Sequence, residues 1–285
     1  MYNKFILEYG FLGEYMEYGI NIRYFSRLWG MEKAAELVAK NGFKYVDYTP
    51  PLLDDNREKI MKEDKKIFDE YGIKVHQTHA PFNRYGTFGD KFLDCMEKVM
   101  EATEFLKAKY IAVHGDEFDF ENFEFTPERA FDYNHNLFSP YVKRAEKKGF
   151  KLAFETVFED GCRGRRYTSD SEELKNLILS FNSQNAVCCW DFGHANVSFK
   201  HLHAQKINEF GSLIQCTHVH DNAGNDSHQM PMTGDIKWEE VIPALKSTGF
   251  NGVMSIEYAH GKPTAQMAED FVRLTKTAVE YISNL

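Results

Sequence analysis

AEKKGFKLAFET, residues 145–156, joins two kinds of pattern that recur along the 285-residue chain. Its first part is the charged end of a helix-like segment, and Gly149 then supplies the left-handed backbone on which helices commonly end. The apolar run KLAF follows at once, with Glu155 after it. This order predicts a short strand buried in a sheet, with a carboxylate at the end of the strand.

Strand-like runs of this kind occur eight times and alternate with longer helical patterns. The predicted strands cover residues 17–23, 43–48, 73–79, 109–115, 151–157, 186–192, 213–220 and 252–258. The helical patterns cover residues 31–42, 56–72, 90–108, 127–149, 171–181, 237–249 and 264–282. Such alternation indicates an α/β protein with a parallel sheet, and eight units predict a (β/α)8 TIM barrel.

A doubly wound open sheet is the structural alternative, but no glycine-rich GxGxxG turn follows the first predicted strand. No linker-like segment interrupts residues 17–285, which are therefore predicted to form a single barrel domain. Residues 1–16 form an N-terminal extension in this scheme. We expect the extension to cover the bottom of the barrel or to contact a neighbouring subunit, and the sequence leaves open whether the chain forms a homo-oligomer.

The chain is acidic, with a formal net charge of −9. Nucleic-acid binding depends on clustered Lys and Arg, so no nucleic acid is expected as a partner. No apolar stretch approaches the roughly 18 residues of a membrane span, and glutamates replace the basic and apolar start of a signal peptide. A cytoplasmic protein without a membrane partner is therefore expected. The five cysteines lack CxxC spacing, so no disulfide framework is indicated.

Polar residues collect at the predicted strand ends, where the active site of a barrel forms. Strand alternation places Glu155 on one face with Ala153, and Asp191 with Cys189, and these small partners suit a barrel interior. A single histidine at a strand end is often only hydrogen-bonded to the backbone, but here the last six strands all end on an ionisable residue: His79, His114, Glu155, Asp191, His218 and Glu257.

The three carboxylates Glu155, Asp191 and Glu257 would repel one another if they were buried together without a neutralising cation. A divalent metal ion bound by two or three carboxylates and an imidazole is the simplest neutraliser. Such oxygen and nitrogen ligands suit Mn²⁺ or Zn²⁺, with Mg²⁺, Co²⁺ or Fe²⁺ as alternatives. One divalent ion is therefore expected as the cofactor.

The ordered motifs of the chain resemble those of the xylose-isomerase-like TIM-barrel superfamily, in particular its sugar phosphate isomerase/epimerase branch. The motifs that carry the resemblance are HAPF, VHG, FET, WDFGHAN, HVHDN, DSH, GDIKW and IEY, between residues 79 and 258. Type IV apurinic endonucleases are more distant members. The resemblance covers the chain from residue 17 to its end, and the motifs are specific for the superfamily but weak for any one substrate.

This resemblance implies a shared metal site at Glu155, Asp191, His218 and Glu257. In the epimerases the two glutamates also act as an acid–base pair on opposite faces of the substrate, and the histidine that matches His194 contacts the sugar. The endonuclease branch binds further zinc ions through counterparts of His79, His114, His194, Asp226 and His228. In the sugar-acting branch these side chains are expected to bind substrate hydroxyls, and additional metal ions are the alternative.

These observations predict a metal-dependent isomerase or epimerase that removes a proton next to the carbonyl of a keto-sugar or sugar phosphate through a metal-stabilised enediolate. Glu155 and Glu257 would remove and return the proton, while His194 and His220 orient the substrate oxygens. The same residues fit a lyase that dehydrates a keto-inositol, like inosose dehydratase, or cleaves a 3-keto-glycoside. The sequence does not separate these reactions, and a non-catalytic sugar sensor would have no need for two opposed glutamates.

An apurinic endonuclease is a further alternative. The acidic segment GDEFDFENFEFTPE, residues 115–128, disfavours it because the segment would repel a phosphate backbone. A phosphate on a sugar substrate would also need cations. The predicted source is CRGRRY at 162–167, with Arg163 and Arg165 as substrate-binding residues next to Arg166, and a solvated loop is the alternative interpretation of this segment.

Overall fold

Eight parallel strands form one sheet that curls into a barrel. The computed structural model describes residues 16–83, 89–119, 121, 123–159, 164–258, 264 and 266–285. The barrel strands are β1 (Glu17–Asn21), β2 (Tyr45–Tyr48), β3 (Lys74–His79), β4 (Tyr110–Val113), β6 (Lys151–Glu155), β8 (Ala186–Asp191), β9 (Ile214–His218) and β10 (Val253–Ile256). Their spatial order is β10-β1-β2-β3-β4-β6-β8-β9.

The two edge strands of this sheet, β9 and β10, meet just beyond the end of β9. The Val219 N–H donates to the Ser255 carbonyl over 2.8 Å, and the Glu257 N–H donates to the Val219 carbonyl over 3.0 Å. These bonds form a parallel bridge between Val219 and Ile256. The single-domain (β/α)8 barrel predicted from the alternation of strands and helices is therefore confirmed.

The helices surround the barrel and connect its strands. They are α1 (Ile22–Trp29), α2 (Met31–Lys40), α3 (Arg57–Glu70), α4 (Gly89–Leu106), α5 (Pro127–Lys148), α6 (Ser171–Ser180), α7 (Phe192–Phe199), α8 (His203–Phe210), α9 (Trp238–Ser247) and α10 (Ala268–Ser283). In the described part of the chain, no helix combines the length and apolar character of a membrane span.

Every predicted strand and helix occurs, with ends that differ by up to four residues, and the structure adds elements that the patterns did not predict. The first strand stops at Asn21, because the next two residues already belong to α1. Helices α7 and α8 are also additions, as is an antiparallel ribbon that pairs β5 (Glu117–Asp119) with β7 (Gly164–Arg166). This ribbon joins the loops that follow β4 and β6 at the carboxyl-terminal ends of the barrel strands.

Side chains alternate between two cores along the barrel strands. The small and aromatic side chains inside the barrel are those of Tyr110, Ala153, Val187, Cys189 and Cys216. Their strand neighbours Phe154 and Trp190 point outward into the larger core between the sheet and the helices. This alternation confirms that Glu155 and Asp191 share the interior face with small partners.

The end of helix α5 lies where the sequence pattern predicts it. Gly149 has a φ of 82° and ends α5, and its N–H donates to the Ala145 carbonyl over 2.8 Å.

Of the predicted extension at 1–16, only Met16 is described, and it is buried. Residues 1–15 lie outside the described residues, so the role of the extension stays a prediction.

Candidate metal and substrate site

Polar side chains from all eight barrel strands converge at the carboxyl-terminal rim. The six predicted from the sequence lie at or within one residue of a strand end: His79 at β3, His114 after β4, Glu155 at β6, Asp191 at β8, His218 at β9 and Glu257 after β10. Asn21 and Asp47 supply the same kind of polar group from β1 and β2. The barrel therefore brings ionisable groups from distant parts of the chain into one buried cluster.

The four residues predicted to bind the metal form one group around the His218 imidazole. Its Nδ1 lies 3.1 Å from Glu155 Oε1, 3.5 Å from Glu257 Oε2 and 3.9 Å from Asp191 Oδ2. One ligand atom from each of the four residues lies within 4.8 Å of the others. Three carboxylate oxygens and one imidazole nitrogen thus converge, and this donor set fits a divalent cation.

Asp47 fixes the orientation of His218, a role that the sequence patterns did not predict. Asp47 Oδ2 lies 2.8 Å from His218 Nε2, both residues have no solvent exposure, and Gln77 Nε2 donates to the same oxygen over 3.2 Å. With Nε2 directed to Asp47, Nδ1 of His218 faces the carboxylates and can carry a proton or, once the proton leaves, bind a metal ion. Metal-binding histidines are commonly held by a carboxylate in this way. The signal was present, because Asp47 lies near the end of a predicted strand.

Asn21 plays a similar part for Glu257. Its Nδ2 donates to Glu257 Oε1 over 3.3 Å, and its Oδ1 accepts the N–H of Arg23 over 3.1 Å. The side chain therefore caps helix α1 and orients a predicted catalytic carboxylate at the same time.

Electrostatics in this cluster depend on carboxylates that face imidazoles. Burial alone would lower the pKa of His218, but the Glu257 and Glu155 carboxylates hold it well above its usual value. Burial would raise the pKa of Glu155, but His218 and His114 hold it well below its usual value. The metal-free cluster is thus neutralised by protons on imidazoles, and a divalent cation can take over that role.

A second group of possible ligands shares Glu155 with the first. Glu155 Oε2 lies 3.3 Å from His79 Nε2 and 3.1 Å from His114 Nε2. The other carboxylate oxygen, Oε1, faces His218. Glu155 therefore stands between two groups of donors, with one oxygen directed to each.

The third group comes from helix α7, which follows β8, and from the loop after β9. Asp226 Oδ1 lies 3.3 Å from His228 Nε2 and 3.7 Å from His194 Nε2, and one ligand atom from each of these residues and from His220 lies within 4.8 Å of the others. Burial alone would lower the pKa of His228, but the hydrogen bond to Asp226 and the charges of the nearby carboxylates together outweigh this and raise the pKa to about 9. His228 also has a left-handed φ of 42°. Strained backbone of this kind is frequent at functional sites.

His220 does not occupy the place predicted for it. Its side chain is fully buried and does not line the cavity, and its Nε2 lies 3.0 Å from Asp191 Oδ1. The imidazole fills the space above Gly193, where an added Cβ would lie 1.9 Å from the ring. The prediction of a substrate contact is therefore revised: His220 positions Asp191. Strand pairing ends at Val219, so alternation no longer directs His220 toward the cavity.

The arginines predicted to bind substrate are also placed differently. Arg163 lies outside the described residues. Arg165 does not line the cavity, because its guanidinium pairs with Glu173 over 2.7 Å and stacks over Phe125 at 4.7 Å. Arg166 lines the cavity instead, with its guanidinium 4.7 Å from the centre of the Phe158 ring. Which arginine faces the site is decided by the β5–β7 ribbon, which the sequence patterns did not predict.

A cavity of about 500 Å³ lies over the three groups. This volume suits a small molecule. Phe82 and Phe158 provide apolar surface in it, Glu117 of the acidic segment contributes a carboxylate, and the predicted site residues that line it are His79, His114, Glu155, His194, Asp226, His228 and Glu257. Polar and aromatic groups therefore line the same cavity.

Comparisons with known proteins agree with this architecture. An uncharacterised protein of Methanocaldococcus jannaschii is 27% identical over 207 residues, which are 70% of this chain and 69% of that protein. The structure of a D-tagatose 3-epimerase-like protein has a TM-score of 0.73 at 23% identity, and the match covers 94% of this chain and 99% of that one. The IOLI protein with a bound zinc atom has a TM-score of 0.76 at 19% identity, with 94% and 98% covered.

At these identities the similar structures show a shared fold. The sequence itself carries the family assignment, since residues 35–278 match the family described as Xylose isomerase-like TIM barrel. That range includes every described residue of the three donor groups. This chain therefore belongs to the xylose isomerase-like TIM barrel family.

Proposed function

We propose that the protein is a metal-dependent isomerase or epimerase that moves a proton at the carbon next to the carbonyl of a keto-sugar. The observation that carries this proposal is the pair of glutamates at one cavity. Glu155 and Glu257 both line it, and both face His218, at 3.1 Å and 3.5 Å from Nδ1. Their strands β6 and β10 are separated by two others, so the carboxylates approach the cavity from different sides.

Two opposed carboxylates suit proton transfer on both faces of a planar intermediate. Glu155 is held as a carboxylate because imidazoles lower its pKa, and it can accept the substrate proton. Glu257 is partly exposed, with 20% of its side chain accessible, and Asn21 fixes one of its oxygens. Once it carries a proton taken from solvent at its exposed edge, it can donate that proton from the other face, which gives the epimer, and Glu155 releases the abstracted proton afterwards.

The first donor group is the proposed cofactor site. A divalent cation bound by Glu155, Asp191, His218 and Glu257 supplies Lewis-acid polarisation of the substrate carbonyl. The remaining rim residues, His79, His114, His194, Asp226 and His228, then bind substrate hydroxyls. The zinc named for IOLI and the activity named for the D-tagatose 3-epimerase-like protein support this proposal.

The experiment is solvent deuterium uptake by keto-sugars, with protein whose metal content has been measured. We expect exchange at the carbon next to the carbonyl, and a decrease of about a thousandfold in both Glu155→Gln and Glu257→Gln. Glu124→Gln is the control, because Glu124 lies in the same rim segment with 88% of its side chain exposed and does not line the cavity. Exchange that survives in both cavity variants would rule out the two-glutamate mechanism.

The same experiment separates the alternatives. A dehydrated or cleaved product in place of an epimer would identify a lyase that shares the first proton transfer. Metal stoichiometry near one per chain supports a single ion in the first group, and higher stoichiometry would show that the second and third groups also bind metal. Incision of a duplex with an abasic site at catalytic rates would replace the sugar proposal with an endonuclease.

A further inference from the structure

A second cavity, of about 940 Å³, opens beside the first. The two share His79, Phe82, His228 and Glu257 in their linings, so they are continuous. The second cavity extends over β1, β2 and β3, and we call it the β1–β3 groove. Much of its surface is apolar and comes from Tyr24, Pro50, Pro51, Leu52, Leu53, Phe92 and Tyr258. The proposed proton transfer uses none of this surface.

Three cations line the β1–β3 groove: Arg23, Arg27 and Lys91. Among the described residues, none of the three forms an ion pair with a carboxylate, although the chain has a net charge of −9. Apart from Glu257, the acidic residue that lines the groove is Asp54, whose Oδ1 accepts the Asn56 N–H over 2.7 Å.

The two arginines repel each other on α1. They are four residues apart, and like charges at that spacing destabilise a helix. Arg23 also lies in the first turn, where the helix dipole disfavours a cation, whereas Arg27 lies in the last turn, where the dipole favours one. Burial and the charge of Arg27 lower the pKa of Arg23, while Glu257 acts in the opposite direction. An anion bound between the arginines would relieve this repulsion.

We propose that the β1–β3 groove is an anion subsite, and that the substrate is a phosphate ester whose reacting carbons lie over Glu155 and Glu257. The phosphate contacts Arg23 and Arg27 on α1 and Lys91 on α4. Guanidinium groups suit phosphate because they donate two parallel hydrogen bonds. This inference rests on the proposed sugar isomerase or epimerase function. It places the phosphate at the β1–β3 side of the rim, whereas Arg165 on the opposite side is already paired with Glu173.

Glu257 lines both cavities, so the subsite and the proposed catalytic pair lie close to each other. A sugar with its phosphate on the terminal carbon can span such a separation. A carboxylate at the same end of the sugar offers the same charge with a different geometry, so a sugar acid is the competing source of the anion.

The test measures kcat/KM for deuterium exchange with matched substrates: D-ribulose and D-ribulose 5-phosphate, D-fructose and D-fructose 6-phosphate, and a keto-sugar acid. We expect the phosphate esters to be preferred over the neutral sugars by at least about tenfold. The Arg23→Gln/Arg27→Gln variant should lose this preference, and Lys91→Gln, on a different helix, should reduce it. Lys62→Gln/Lys66→Gln removes two charges at the same spacing from exposed positions on α3 and should keep it.

Exchange of neutral sugars without any preference for phosphate esters would overturn the subsite and leave the proposed function intact. A preference for the sugar acid over the phosphate ester would overturn the phosphate assignment. If no sugar exchanges, the proposed function fails, and sulfate binding tests the subsite alone. Calorimetry should then show sulfate binding weakened at least about tenfold in Arg23→Gln/Arg27→Gln but not in the Lys62→Gln/Lys66→Gln control. Equal affinity in all three proteins would overturn the inference.

Discussion

The two sides of the barrel rim treat charge in opposite ways. On the side of β6, β8, β9 and β10, each carboxylate of the proposed metal site faces an imidazole, and Asp47 fixes the histidine at its centre. On the side of β1, β2 and β3, the groove carries three cations without a carboxylate partner among the described residues. On the first side, contacts within the protein already balance the charges of the carboxylates. On the second side, the proposed anionic ligand would supply the negative charge that balances the three cations.

The two sides therefore have different proposed roles: one positions the metal ligands, and the other recognises an anionic group of the substrate. Hydrogen bonds within the protein set the geometry of the metal side, so a change there should affect metal binding and chemistry for every substrate. The cations of the β1–β3 groove have no such role, so a change there should affect only substrates that carry an anion. Asn21 and Asp47 belong by sequence to β1 and β2 but act on Glu257 and His218, and they connect the two sides.

The largest effect is expected from Asp47→Asn, which weakens the hold on His218 without touching the cavity. The amide has less negative charge to fix the imidazole, so affinity for Mn²⁺ or Zn²⁺ should decrease by about 10- to 100-fold. Titration calorimetry checks this. Asp64→Asn is the control, because Asp64 is also buried and accepts the Tyr48 hydroxyl over 2.6 Å but does not contact the cluster. It should lower stability and leave metal affinity unchanged, and an equal loss in both variants would contradict the role assigned to Asp47.

A smaller effect is expected from pH, and it should differ between the two sides. Burial would lower the pKa of His218, but the Glu257 and Glu155 carboxylates hold it well above its usual value, so metal binding at Nδ1 must displace a proton. The Kd for Mn²⁺ should therefore decrease as pH rises from about 6 to about 8, by up to roughly tenfold per unit. Sulfate binding in the groove should change little, since arginines remain charged.

Calorimetry in buffers of different ionisation enthalpy counts the protons released with the metal. Proton release on metal binding with a flat sulfate response would support the contrast between the two sides. A metal affinity that is independent of pH would show that His218 is neutral in the metal-free protein.

The smallest effect is expected at Asn21, which belongs to both sides. Asn21→Ala removes the cap of α1 and the donor to Glu257, which should cost about 1 kcal/mol of stability and reduce exchange severalfold. Asn21→Ser separates these roles, because serine caps a helix about as well as asparagine but is too short to donate to Glu257. Thermal unfolding should therefore change less in Asn21→Ser than in Asn21→Ala, while exchange decreases in both. Similar unfolding temperatures for the Ala and Ser variants would contradict the capping role.

The sequence was sufficient for those parts that depend on short-range patterns. Periodicity and glycine positions predicted the barrel, and strand ends predicted the convergence of Glu155, Asp191, His218 and Glu257. Features that depend on pairing between distant segments were missed. The β5–β7 ribbon joins two loops far apart in the chain, and it determines that Arg166 rather than Arg165 lines the cavity. Helix α7 was missed because FGHANVSF contains few strong helix formers.

The junction between β8 and α7 shows why the site cannot be treated as four interchangeable side chains. Asp191 ends a strand, offers an oxygen to the proposed metal site and starts the next helix by accepting the His194 N–H over 2.7 Å. Gly193 between them leaves the space that the His220 ring fills. Protein engineers who transplant this site into another barrel would therefore need to move residues 190–196 and His220 as one unit. Without the start of α7 and the His220 ring, the orientation of the Asp191 carboxylate would no longer be fixed.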